Sequence, residues 1–374
     1  MKKRLKFGVI FLFLIFIGLL SSSEIKALGL EGIPVSNVKG RELIAMGRTR
    51  VSEKGLELIS SGAYFSFEFE GNEFEMKISL PAWVQHSYLQ YEVDGLYKNR
   101  IKIDKRDEKI SISAGTGGKH VVTIYKATEA NSGGVFIEEI RATNVTPMTI
   151  AKKPLIEYIG DSITCGAASD DSDIPCGKGS YVDYHNAYLS YGPRVARAVN
   201  ANFIITAASG KGVYRNWNND GPTLPFLYKR KSLMPNDKEE WDQKIFKPDV
   251  ISIALGTNDL SDGDKKTERQ PFDKNKFVDE YLKFIDYLKS VNPEAKIVLL
   301  SSPTVGVVKG QLLEDAMQTI KAAVDNKYKK ATPVELIYFK GIKPAGCNGH
   351  PSINQHEMMA NEILKQFAEI LDSK

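Results

Sequence analysis

Between about Val35 and Asn144 apolar and polar residues alternate in short runs. Examples are Tyr64-Phe65-Ser66-Phe67-Glu68-Phe69, Phe74-Glu75-Met76-Lys77-Ile78, Leu89-Gln90-Tyr91-Glu92-Val93 and Val121-Val122-Thr123-Ile124-Tyr125. A period of two sends successive side chains to opposite faces of a strand, so each run reads as β with one face buried. Turn chemistry at Glu70-Gly71-Asn72 and Asp94-Gly95 separates the runs and makes them antiparallel. The pattern predicts a β-sandwich, jelly-roll-like, over residues 35–147.

After Val145-Thr146-Pro147 the pattern changes. Apolar strands at Leu155–Ile159, Phe203–Thr206, Val250–Ala254, Ile297–Leu300 and Leu336–Phe339 alternate with helical stretches. Those helices are expected near Gly192–Val199, Lys274–Ser290, Lys309–Tyr328 and Ile353–Leu371. In the last, Met358, Met359, Ile363, Phe367 and Ile370 recur at helical spacing and read as a core-facing stripe. Strand–helix alternation predicts a three-layer α/β/α domain with a parallel sheet over 153–374.

Composition changes little in this picture. With 42% hydrophobic and 26% charged residues over 374 positions, the chain is ordinary globular material. A formal charge of +4 is near neutral, and part of it lies in Lys2, Lys3, Arg4 and Lys6, so no nucleic-acid partner is indicated. Those residues precede the apolar run Phe7–Leu20, then Ser21-Ser22-Ser23 and Ala27. Basic head, short apolar middle and small-residue exit form a signal peptide over residues 1–27, and the apolar run falls short of a spanning helix. The mature protein is therefore expected to be secreted or periplasmic, free of the membrane and monomeric. Cys165, Cys176 and Cys347 are the only cysteines. Cys165–Cys176 would close a short loop and Cys165–Cys347 would join distant segments; sequence does not choose. No CxxC or Cys/His cluster supports a metal.

Ligands of open α/β sheets gather beyond the carboxyl ends of the strands. After the first strand comes Gly160-Asp161-Ser162, after the second Ala208-Ser209-Gly210-Lys211-Gly212, after the third Gly256-Thr257-Asn258-Asp259, and beyond the fifth Asn348-Gly349-His350-Pro351-Ser352. A serine, a glycine turn, an asparagine and a histidine are the parts of an acyl-transfer site: nucleophile, oxyanion donors and general base. For Ser162 alone the rival role is a helix N-cap.

These four blocks, in this order, resemble those of the SGNH (GDSL-type) hydrolases. With the preceding sandwich, Gly210-Lys211-Gly212-Val213-Tyr214-Arg215-Asn216 and His350-Pro351-Ser352, the chain is similar to carbohydrate esterase family 2. The resemblance implies a cofactor-free serine esterase that deacetylates polysaccharides such as xylan and glucomannan. Ser162 would be the nucleophile and His350 its base, with an oxyanion hole from the N–H groups of Ser162 and Gly210 and the amide of Asn258. Such hydrolases usually carry an aspartate three residues before the histidine; here that position is Cys347, and Asn348 follows. Neither is an anion, so Ser162 is expected to work in a dyad, with a main-chain carbonyl or Asn348 Oδ1 orienting His350 and Cys347 as a further candidate for that role, or in a triad with an aspartate from elsewhere, Asp259 for instance. Asp259 is read as bonding to nearby backbone. Tyr214 and Trp217, just past the glycine turn, are candidates to stack on a sugar ring. His185 reads as structural and His356 as a surface or capping residue. Two rivals stand beside this reading: an esterase for another acyl group, such as a lipid or peptidoglycan O-acetyl, and a carbohydrate-binding protein with weakened catalysis.

Overall fold

The computed structural model describes residues 35–104, 107–266, 268–328 and 333–373; the expected signal peptide lies outside them. From Val35 to Pro147 the described chain forms a ten-stranded antiparallel sheet folded around its own core. Its backbone is the long strand β5 (Tyr64–Ser79), which pairs along its length with β9 (Lys119–Lys126) and with β10 (Val135–Pro147). Phe65, Phe67 and Phe69 point inward on odd positions, whereas Phe74, Met76 and Ile78 point inward on even ones. The expected turn at Glu70-Gly71-Asn72 is instead the point where this one strand changes facing, with Gly71 at φ +113°. An inserted residue at such a bend lets both halves bury their apolar face.

The second domain carries a parallel sheet of five strands, β11 (Leu155–Gly160), β12 (Asn202–Ala207), β13 (Val250–Ala254), β14 (Lys296–Leu300) and β15 (Glu335–Ile337). They lie side by side in the order β12-β11-β13-β14-β15. One face is covered by helices α2 (Tyr191–Ala198) and α6 (Ile353–Asp372), the other by α4 (Lys274–Val291) and α5 (Gly306–Lys327). Two shorter helices, α1 (Ser162–Cys165) and α3 (Leu224–Leu227), follow β11 and β12. The strand order reverses at β11, where a ligand crevice opens.

Two readings of the sequence are corrected, and the cysteine pairing that the sequence left open is answered. In α6, Met359, Ile363, Phe367 and Ile370 are buried, but Met358 is exposed, because the position after an inward Met359 does not share its face. His356 is not at the surface: it is wholly buried, its Nδ1 accepts the Tyr191 N–H at 3.3 Å, and burial pushes it down to about 3. The disulfide is Cys176–Cys347, neither of the two pairings considered, while Cys165 is a buried free thiol in α1.

The domains share a polar, buried interface. Arg100 of the sandwich donates to the carbonyls of Asp183 and His185 at 2.9 and 3.0 Å and pairs with Asp173 at 2.6 Å. Arg48, fully buried, donates to the carbonyls of Arg230 and Tyr228 at 2.6 and 2.8 Å.

Candidate active site

Leu155–Gly160 is buried throughout, so the chain leaving β11 must turn sharply at the sheet edge. Gly160 makes that turn feasible, because a Cβ there would lie 2.0 Å from Thr164 Oγ1. Asp161, not Ser162, caps the helix: its carboxylate accepts the Ile163 N–H at 3.0 Å. Burial pushes Asp161 up to about 7. With the cap supplied by its neighbour, Ser162 Oγ is left to meet His350 Nε2 at 2.8 Å. The helix-start N–H of Ser162 has no acceptor among the described residues, as expected for the first helical position.

His350 comes from the loop beyond β15. Its Nδ1 lies 3.1 Å from the main-chain carbonyl of Asn348, which can only accept, so Nδ1 carries the hydrogen and Nε2 is free to take one from Ser162. The Asn348 side chain is exposed, and its residue sits at φ 53°, ψ 33°. Of the two acceptors considered, the carbonyl is thus the one in place, and left-handed backbone aims it. Cys347 cannot orient the ring, because its sulfur is bonded to Cys176; that expectation is corrected. The disulfide, with the Cys347 N–H donated to Ala168 O at 2.8 Å, fixes the start of this loop. Burial holds the His350 imidazole below its usual range.

Gly210 follows β12 at φ +74°, and its N–H has no acceptor among the described residues. The turn is held from below by Asp259, whose buried carboxylate accepts the N–H groups of Val213, Tyr214 and Arg215 at 3.0, 3.0 and 3.2 Å. Asp259 therefore does bond to backbone. Burial also pushes this carboxylate up from its ordinary value, despite those three donors. Asn258 is buried at the cleft wall with Ser162, and its Nδ2 donates to Lys211 O at 2.9 Å and to Asp161 Oδ2 at 3.2 Å. Ser162, Gly210, Asn258 and His350 line one open cleft of about 770 Å³.

Trp217 is 45% exposed and lines the same cleft. Tyr214 does not. Its ring packs against Phe272 and Phe277 and its hydroxyl accepts the Asp273 N–H at 3.0 Å, so the expected sugar contact is corrected to a core role. Tyr181 was missed by sequence: its hydroxyl is 3.4 Å from His350 Nε2 and 3.2 Å from Ser209 Oγ. No motif marks it, since it lies between strands. Among the described residues no three His, Cys, Asp or Glu side chains converge as metal ligands.

Residues 158–369 match the model of the GDSL-like Lipase/Acylhydrolase family, and residues 45–149 match that of the Carbohydrate esterase 2 N-terminal domain. An acetylxylan esterase / glucomannan deacetylase of Cellvibrio japonicus is 29% identical over 312 residues, 82% of this chain and 83% of that protein. A carbohydrate esterase family 2 enzyme with a carbohydrate binding domain from Corynascus thermopiles is 26% identical, with a TM-score of 0.75 over 88% of this chain and 99% of that one. A family two carbohydrate esterase from Clostridium thermocellum, solved with cellohexaose, shares the fold at 24% identity, with a TM-score of 0.76 over 90% of this chain and 99% of that one.

Proposed function

The chain belongs to the GDSL-like lipase/acylhydrolase family, and on that premise we propose that it is a secreted serine esterase removing O-acetyl groups from polysaccharides of the xylan and glucomannan type. The observation that carries the reading is the 2.8 Å contact of Ser162 Oγ with a His350 whose other nitrogen is held by a carbonyl, all within an open cleft. His350 removes the hydroxyl proton as Ser162 attacks the acetyl carbonyl. The oxyanion is met by the N–H groups of Ser162 and Gly210, and by Asn258 once its longer 3.2 Å bond to Asp161 is exchanged for the substrate. His350 then protonates the departing sugar oxygen, leaving acetyl on Ser162. Water, deprotonated by the same imidazole, repeats the attack and frees acetate. No step calls for a cofactor.

Three observations support the substrate class and the location. The Cellvibrio japonicus relative is an acetylxylan esterase / glucomannan deacetylase, and the cleft is open with Trp217 at its wall, suited to a long chain and to stacking on a pyranose face. The Cys176–Cys347 disulfide suits an oxidising compartment, which agrees with the N-terminal export pattern. Acetate release from acetylated xylan and glucomannan by wild type and Ser162→Ala tests the reading. Wild type is expected to release acetate and the variant to lose at least ~10³-fold; equal rates would refute it.

A further inference from the structure

Directly beneath the cleft lies a carboxylate that the steps above do not use, and it comes from the other domain. Glu129 follows β9 of the sandwich, capping a short turn at Ala130–Ser132, and is 1% exposed. Its Oε2 accepts the N–H of Ser209 at 2.8 Å, one residue before Gly210. Its Oε1 faces His185 Nε2 at 3.3 Å, and His185 Nδ1 donates to the Tyr181 carbonyl at 2.9 Å. The Tyr181 ring stands edge-on to His185 at 4.7 Å and carries its hydroxyl to within 3.4 Å of His350 Nε2. One side chain thus grips the oxyanion turn and, through two neighbours, the wall beside the general base.

We propose that Glu129 is a positioning residue of the hydrolytic centre, supplied in cis by the N-terminal sandwich. This rests on the esterase reading above. The role is geometric and not that of a remote triad acid. The carboxylate bonds to Ser209 and faces His185 and does not touch His350, whose imidazole is governed first by its own burial and then by main-chain hydrogen bonds at Asn348 and Cys347. The remaining groups around the carboxylate are Cys165, with Sγ 3.9 Å from Oε2, and Lys126, whose Nζ donates to the Glu129 carbonyl at 2.9 Å. Neither reaches the cleft. What Glu129 fixes is where Gly210 N–H points and where the Tyr181 hydroxyl stands, and small displacements of such donors cost rate steeply.

The test compares Glu129→Ala, Glu129→Gln and Glu129→Asp with wild type and Ser162→Ala on an aryl acetate, with folding checked by near-UV circular dichroism. A full oxyanion donor carries ~10²–10³ in turnover, so a slackened one should cost about ten- to a hundredfold. Glu129→Ala is expected to lose that much in kcat, with KM within about twofold. Glutamine can accept from Ser209 with its oxygen and donate to His185 with its amide, so Glu129→Gln should stay within about threefold of wild type. Aspartate keeps the charge but withdraws it by a methylene, so Glu129→Asp should resemble alanine. A folded Glu129→Ala with wild-type kcat overturns the inference. So does Glu129→Asp outperforming Glu129→Gln, an outcome that would assign the role to charge; this pair decides the matter even where alanine fails to fold. Failure of the esterase reading shows separately, as a wild type no faster than Ser162→Ala.

Discussion

Asn348 offers the sharpest test of how His350 is oriented, because its side chain and its backbone make different predictions. The carbonyl that holds His350 Nδ1 belongs to a residue at φ 53°, and its side chain points to solvent. Left-handed backbone costs an ordinary L-residue roughly 1–2 kcal/mol, which Asn relieves in part and Gly wholly. Asn348→Ala should therefore forfeit about 1 kcal/mol. The loop is pinned at Cys347 by the disulfide and at Ile353 by an N–H bond to Ser169 O at 2.9 Å, so the residues between can relax. If they relax, the productive carbonyl is less populated and kcat/KM falls about fivefold. If they hold, the same energy is lost from stability, as a drop of a few degrees in Tm. Asn348→Val, β-branched, should lose more of the sum, and Asn348→Gly should sit near wild type in both. Steady-state kinetics and thermal melts on the same samples measure that sum. Equal losses in Asn348→Gly and Asn348→Ala would refute the backbone account and return the role to the side-chain amide.

Three further expectations follow from the site. A Cβ on Gly210 has room, its nearest neighbour being Trp217 Cβ at 3.8 Å, so Gly210→Ala should act through φ alone, lowering kcat by about tenfold with KM unchanged; an unaltered kcat would mean this N–H does not meet the oxyanion. The Cys176–Cys347 bond spans 171 residues, so Cys176→Ser should cost ~2–4 kcal/mol of stability and, by loosening the His350 loop, part of the activity; melts with and without reductant check it, and Cys165→Ala, outside the bond, should show no reductant effect of its own. Burial lowers His350, and the neutral imidazole is the working form, so activity is full above that lowered value and lost as pH falls through it. The acid limb of kcat/KM should have its midpoint below 6.5, and a midpoint above it would contradict the burial argument.

Much of this was legible beforehand, for reasons that mark where sequence stops informing. Ser162, Gly210, Asn258 and His350 each follow an apolar strand of one parallel sheet, so topology alone brings them to one edge. The four long helices are legible to within a few residues because their apolar periods are long. Cysteine pairing was not, since it depends on where the loops before Tyr181 and His350 cross, which no local pattern records. Nor was the sense of Asn348: an asparagine can accept with its side-chain oxygen or hold left-handed backbone, and only the φ decides. Tyr214 was misplaced because aromatic residues beside a cleft and beneath it look alike in sequence. Glu129, His185 and Tyr181 carry no motif at all, being joined only when one domain is laid against the other.

That last point bears on what the sandwich is for. A module kept only to hold polymer near an enzyme needs a modest, wet interface, of the kind that lets domains move. Here Arg48 and Arg100, both buried, spend their donors on carbonyls of Tyr228, Arg230, Asp183 and His185 across the boundary. Gln90 reaches Asn186 at 2.5 Å, and Tyr88 reaches Asp183 at 2.7 Å. Each such bond contributes about 0.5–1.5 kcal/mol net, and those of the charged guanidinium groups about 1.5–3, so together they oppose separation. The segment so gripped, Asp183 to Asn186, is the one that carries His185, and with it the Tyr181 wall of the cleft. The sandwich is therefore placed to shape the hydrolytic centre itself.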